Sequence, residues 1–205
     1  MKGYYINLEH RKDRKEHIEI LKYKYPFFKE ITRFDAIKDS DGSIGCAKSH
    51  IRALSQLYVT KEKYYIVLED DFCILNKKNF IKFEEDFLKI KDLDSWDVLV
   101  LTPRGIDVEK NFLENFSRIK DTQTASGYII KHNFIPVLIE NFKECITALE
   151  EKKDRDTFAL DQNWKKLQKT SNFIYHDRIY AGQLEGYSDI EKRMVNYNSV
   201  FLQQN

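Results

Sequence analysis

Glu69, Asp70 and Asp71 stand side by side at the end of the apolar run Tyr64 to Leu68 (YYIVL). Three adjacent carboxylates repel and raise one another's pKa values unless a cation lies among them, and hard ions such as Mn²⁺ or Mg²⁺ favour oxygen ligands of this kind. An acidic turn fanned into water is the competing reading of the same residues. The apolar run before them reads as a buried strand and favours the metal. Such a cation could grip a diphosphate as a glycosidic bond breaks, or serve phosphoryl transfer to an aspartate. The second chemistry asks for the acidic pair at the end of the first strand and an acceptor Asp at the end of a later one. About sixty residues precede the pair, and the next strong strand runs into Leu101, Thr102 and Pro103, with no acceptor Asp.

Two further stretches carry charge or hydroxyls in suggestive places. In INLEHRKDR, Asn7 sits at a strand end, with Arg11 and Arg14 about one helical turn apart, so planar guanidinium forks could meet phosphate oxygens. In GSIGCAKSH, Gly42 and Gly45 flank a helix start whose backbone N–H groups could receive an anion, with Ser49 and His50 following on the helix. At that helical position a packed core or boundary histidine is the ordinary expectation for His50, and a small packed thiol for Cys46.

The elements that must hold these residues follow from hydrophobic period. Gly3 to Leu8 reads as a strand and Glu9 to Lys24 as a helix. Ile44, Ala47, Ile51, Leu54 and Tyr58 recur at spacings of three and four, a helix for which Ser43 is the expected N-cap. Tyr64 to Leu68 and Asp97 to Leu101 are continuous apolar strands, the second closed by Pro103, Arg104 and Gly105 as a turn. Helices are expected over Phe80 to Ile90 and Asn133 to Glu151, with Pro136 in the first turn, and a short one over Phe158 to Leu167. Strands are expected at Ile119, Ser126 to Ile130 and in short pieces after Phe173. Alternation of strand and helix without a linker predicts one α/β domain over residues 1–205, with a mainly parallel central sheet flanked by helices.

Composition narrows the partners. Thirty-four basic against thirty-three acidic residues leave a formal charge of +1, so no overall field points to nucleic acid. Three scattered cysteines form no CxxC pair, which suggests neither a disulfide framework nor a zinc site and fits a reducing cytoplasm. No segment approaches the ~20 apolar residues of a membrane span; peripheral association with the inner face of a membrane is compatible with the sequence.

Taken in order, INLEHRKDR, GSIGCAKSH and YYIVLEDDF resemble glycosyltransferase family 25, which includes lipooligosaccharide and collagen galactosyltransferases. TASGYII (Thr124 to Ile130), ALDQNW around Asp161 and IYAGQLEGYSDIE (Ile179 to Glu191) are similar to later family segments. The resemblance implies a GT-A-like fold, a UDP-sugar donor, commonly UDP-galactose, and inversion at the sugar carbon. The acceptor implied is a glycan, a lipooligosaccharide or a protein hydroxyl. Glu69-Asp70-Asp71 occupies the place of the family's metal motif, implying Mn²⁺ or Mg²⁺ held directly by Asp71 and by Glu69 as second or water-mediated ligand, with Asp70 nearer the ribose or sugar. Asn7, Arg11, Arg14, Ser49, His50, Thr124, Ser126 and Gln183 are the expected donor contacts, with Ser188 and Asp189 closing over the diphosphate. Asp161 is the expected general base, and Trp164 and Tyr128 are candidates to stack on a sugar. The rival is a non-catalytic nucleotide-sugar or glycan-binding domain of the same fold.

Overall fold

The computed structural model describes residues 1–197; the part of the expected domain at 198–205 lies outside the described residues. The chain opens with β1 (Gly3–Asn7), α1 (Lys12–Lys24) and β2 (Ile31–Asp35), then α2 (Gly42–Tyr58), β3 (Tyr64–Glu69) and β4 (Phe72–Ile74). It continues through α3 (Lys77–Ile90), β5 (Val98–Val100), the hairpin β6 (Arg104–Leu113) and β7 (Phe116–Gln123), β8 (Gly127–Lys131) and α4 (Ile135–Glu150). Three single-turn helices, α5 (Arg155–Phe158), α6 (Leu160–Asn163) and α7 (Lys165–Gln168), lead to β9 (Phe173–His176) and β10 (Ala181–Gln183). A last hairpin pairs β11 (Gly186–Ser188) with β12 (Arg193–Val195).

Eight strands form one sheet in the order β2-β1-β3-β8-β5-β9-β7-β6. β1, β2 and β3 are parallel, as are β5 and β9, while β8 and β7 run against their neighbours. This is the α/β, GT-A-like arrangement with a mainly parallel direction and helices on both faces. Alternation along β3 shows why its sequence is apolar throughout: Tyr65 and Val67 enter the core beneath α2 and α4, and Ile66 and Leu68 enter the one beneath α1 and α3. A strand covered on both faces has no position where a polar side chain would be solvated. Among the described residues, no helix is long and apolar enough to cross a membrane.

Several local expectations are corrected. The N-cap of α2 is Asp41, whose carboxylate accepts from the Ser43 and Ile44 N–H groups at 2.8 and 3.4 Å; Ser43 lies inside the helix. Pro103, Arg104 and Gly105 do not end a strand with a simple turn, since Arg104 already begins β6. The helix expected over Phe158 to Leu167 is broken into separate turns. At Gly3 the parallel neighbour approaches so closely that a Cβ would lie 2.0 Å from the Ile66 carbonyl oxygen. Gly3→Ala is therefore expected to lower unfolding free energy by ~1–3 kcal/mol through forced displacement of β1. Urea unfolding checks this, and an unchanged midpoint would refute the close approach.

Candidate active site

The C-terminal ends of β1 and β3 open into a cleft of about 390 Å³, the position at which open α/β sheets bind ligands. Its walls include Arg14, Ser49, His50, Glu69, Asp70, Asp71, Thr124, Asp161 and Gln183. Nine of the twelve expected site residues thus meet in one cavity. Asn7, Arg11 and Ser126 stand outside its lining. Asn7 is buried behind Asp70, giving Nδ2–H to Asp70 Oδ2 at 2.7 Å. Arg11 turns to Asp189 at 2.7 Å and Asp13 at 2.9 Å. Ser126 is fully buried, its Oγ 2.8 Å from Thr102 Oγ1.

The three carboxylates part company at the strand end. Glu69, the last residue of β3, swings towards α2, where its Oε1 lies 3.4 Å from His50 Nε2 and accepts from Cys46 Sγ at 3.5 Å. Asp70 and Asp71, beyond the strand, face α1, and one guanidinium nitrogen of Arg14 donates to both, at 2.9 and 3.3 Å. Gln183 Nε2 donates to Asp71 Oδ2 at 3.4 Å, while Asp71 Oδ1 is buried with no hydrogen-bond partner.

These surroundings divide the charge. Burial raises the Glu69 pKa, yet His50 and Cys46 outweigh it and hold Glu69 below its ordinary value. Burial, then the charge of Glu69, pushes Asp71 up from 3.8 to about 7, Arg14 notwithstanding. Asp70 is raised as well, chiefly by burial. An acid whose folded pKa lies above its unfolded one binds more protons when folded, so its contribution to stability is lost as pH rises between the two values. Stability of the metal-free protein is accordingly expected to fall between pH 5 and about 7. Asp71→Asn is expected to flatten that slope. Urea unfolding across the interval measures it, and an equally steep slope in the variant would remove Asp71 as the cause.

On the opposite wall, Asp161 lies in the first turn of α6 and accepts the Thr124 N–H at 3.0 Å. Thr124 holds a φ of +85°, costly for a β-branched residue and the kind of local strain that persists where surrounding structure imposes it. Burial raises the Asp161 pKa, the Thr124 N–H lowers it, and the charge of Glu69 raises it further. Tyr128 and Trp164 are fully buried and belong to the core, so neither is presented to a sugar face.

The β11–β12 hairpin roofs the cleft. Arg11 and Arg14 donate to the Tyr187 carbonyl at 3.0 and 2.9 Å, and His10 Nε2 lies 3.3 Å from Asp189. The start of α2 packs under the same strap, since a Cβ at Gly42 would lie 3.2 Å from Ile190. Its Ser43 and Ile44 N–H groups already serve Asp41, so the anion cradle expected there is capped from within the chain. Sequence reasoning missed His10, Arg104 and Arg155, which also line the cleft. Arg104 stacks 4.5 Å over the Tyr197 ring; its place just beyond a strand end was the available clue.

No curated protein sequence matches significantly. Among solved structures, the chain is similar to A197 from STIV at 15% identity and a TM-score of 0.49, over 95% of this chain and 92% of that one. It is also similar to a glycosyltransferase involved in the glycosylation of the major capsid of PBCV-1, at 9% identity and a TM-score of 0.47, over 85% and 91% of the two chains. A UDP-glucose pyrophosphorylase complexed with UDP-glucose shows 11% identity and a TM-score of 0.45, over 87% and 73%. The sequence profile of glycosyltransferase family 25 (LPS biosynthesis protein) matches residues 38–157. That span takes in GSIGCAKSH, the three carboxylates and Thr124, and stops short of Asp161. With more than half of the chain covered, the protein belongs to glycosyltransferase family 25.

Proposed function

We propose that the protein transfers a hexose, galactose, from a UDP-sugar to a glycan or hydroxylated acceptor with inversion at the sugar carbon. The observation that carries this reading is the meeting, in one cleft, of an acidic strand end bearing an unpartnered buried oxygen with a separate half-buried carboxylate, Asp161. The family's description as LPS biosynthesis proteins supports a lipooligosaccharide-type acceptor, met in the cytoplasm or at the inner face of the membrane.

The acidic end fits a divalent cation. Asp71 Oδ1 has no protein partner, and burial beside two other acids is the cost a cation would relieve. Asp71 would hold Mn²⁺ or Mg²⁺ directly and Glu69 would be the second ligand, with Asp70 towards the ribose or sugar. When bound, such an ion neutralises charge on the departing diphosphate.

The remaining work falls to the chain itself. Arg14, which reaches Asp70 and Asp71 at the floor and Tyr187 in the roof, keeps a positive charge beside the diphosphate. Gln183 and Asp189 close the roof over it. The acceptor oxygen forms its bond to the anomeric carbon as the bond from that carbon to the diphosphate oxygen breaks, and the hydroxyl proton passes to Asp161.

Release of UDP from UDP-galactose by the purified protein, with and without acceptor glycans, tests the reading. Chelation and Asp71→Ala are each expected to reduce turnover by ~10²-fold or more, the rate equivalent of several kcal/mol of charge stabilisation. Turnover undiminished by both would eliminate the metal assignment. Tight UDP-sugar binding with no consumption under any condition would favour the binding-module alternative.

A further inference from the structure

Cys46, His50 and Glu69 present three different donor atoms at one point on the cleft wall. Cys46 and His50 lie four residues apart on α2, hence on one helix face, and Glu69 reaches them from the end of β3. Sγ, Nε2 and Oε1 all lie within 4.8 Å of one another.

The imidazole–carboxylate spacing is long for a charge-assisted hydrogen bond, and both contacts to Glu69 suit shared coordination. A charge-assisted N–H···O contact closes to about 2.7–2.9 Å, whereas Nε2 stands 3.4 Å from Oε1. Around a tetrahedral zinc, with Zn–S about 2.3 Å and Zn–N and Zn–O about 2.1 Å, the S···O and N···O separations come to roughly 3.6 and 3.4 Å. The observed 3.5 and 3.4 Å match these two edges, and the third, Sγ to Nε2, lies within 4.8 Å.

The imidazole is also held as a ligand is held. His50 is fully buried, and its Nδ1 lies 2.9 Å from the Tyr128 hydroxyl, itself fully buried. With Nδ1–H donating to that hydroxyl, the ring is fixed and the Nε2 lone pair points to Glu69 and the metal position, as an outer-shell partner does for a metal-bound imidazole. All three ligand residues line the cleft, so a fourth coordination position would face its interior.

We infer that Cys46, His50 and Glu69 form a site for a thiolate-preferring divalent ion, Zn²⁺, which shares Glu69 with the hard-cation site at Asp71 but not its other ligands. Thiolate and imidazole select zinc over Mg²⁺ or Mn²⁺, which take oxygen ligands. Binding replaces the Cys46 thiol proton, which leaves to solvent. Glu69 stands between the two sites, so zinc would withdraw the second carboxylate that Asp71 relies on. The thiolate site itself does not depend on the transfer chemistry proposed above.

Co²⁺ reports the site directly, because a thiolate ligand gives a near-ultraviolet charge-transfer band. The reduced full-length protein is expected to develop this band with Co²⁺ and to lose it when Zn²⁺ is added. Cys46→Ser should abolish it, with circular dichroism confirming the fold, while Cys73→Ser, Cys145→Ser and Asp71→Asn should retain it. Tyr128→Phe should weaken Co²⁺ affinity ~10–100-fold. No band in the parent protein, a band that survives Cys46→Ser, loss of the band in Asp71→Asn, or unchanged affinity in Tyr128→Phe would overturn the assignment. Because the band is read without substrate, its failure is separate from any failure of galactosyl transfer.

Discussion

Asp161→Asn is expected to lower kcat by ~10²–10⁴-fold, the range general base catalysis supplies, while leaving the affinity for UDP-sugar near that of the parent. Asn is nearly isosteric and its amide oxygen can still accept the Thr124 N–H, so the wall should keep its shape. What disappears is the capacity to take a proton. Burial raises the Asp161 pKa and Glu69 adds to it, which brings the carboxylate closer in basicity to a hydroxyl losing its proton. A base works only when deprotonated, so activity of the parent should decline as pH falls through this raised value. The variant's residual rate should lack that limb. Steady-state kinetics with calorimetric donor titration decide the matter: kcat within about twofold of the parent would place the base elsewhere.

Arg14→Met should have the largest effect on stability. The guanidinium is one-tenth exposed, as are the two carboxylates it serves, and removing one partner of a buried ionic group costs ~3–5 kcal/mol. The loss should be greatest above pH 7, where both acids are ionised, and should shrink towards pH 5 as Asp71, already raised to about 7, takes up a proton. Pairing Arg14→Met with Asp71→Asn should recover part of the loss, since the two side chains touch. Urea unfolding of the four proteins at both pH values measures the coupling. Strict additivity would show that Arg14 acts independently of Asp71.

Much of this site was legible because period and end-of-strand position are local properties. YYIVL could only be a strand covered on both faces, and the carboxylates after it had to emerge at the sheet's ligand-binding edge. The four-residue spacing of Cys46 and His50 was equally visible, and only the arrival of Glu69 gives it chemical meaning. Illegible parts depend on contacts distant in sequence. Nothing local in Arg14 announces Asp70, and nothing local in Ser126 announces Thr102 as the partner that withdraws it from the cleft. The β6 strand was hidden by Pro103 and Gly105, which read as a turn, and by alternation of charged residues along a sheet edge. β2 was missed for a related reason: ITRFD is short, and two of its five side chains are exposed.

Order along the chain gives the roofing hairpin a further significance. Every strand of the central sheet precedes Asp177 in the sequence, so the sheet's residues are complete without the strap. The ties from Arg14 to Tyr187 and from His10 to Asp189 span 173 and 179 residues, among the longest closures in the molecule and hence late to form. The sheet and the closed site thereby draw on separate parts of the chain. A chain truncated after β9 would be expected to bury most of its core yet leave the acids and Arg14 open to bulk water, a species that limited proteolysis of the purified truncation could reveal by protease resistance without donor binding.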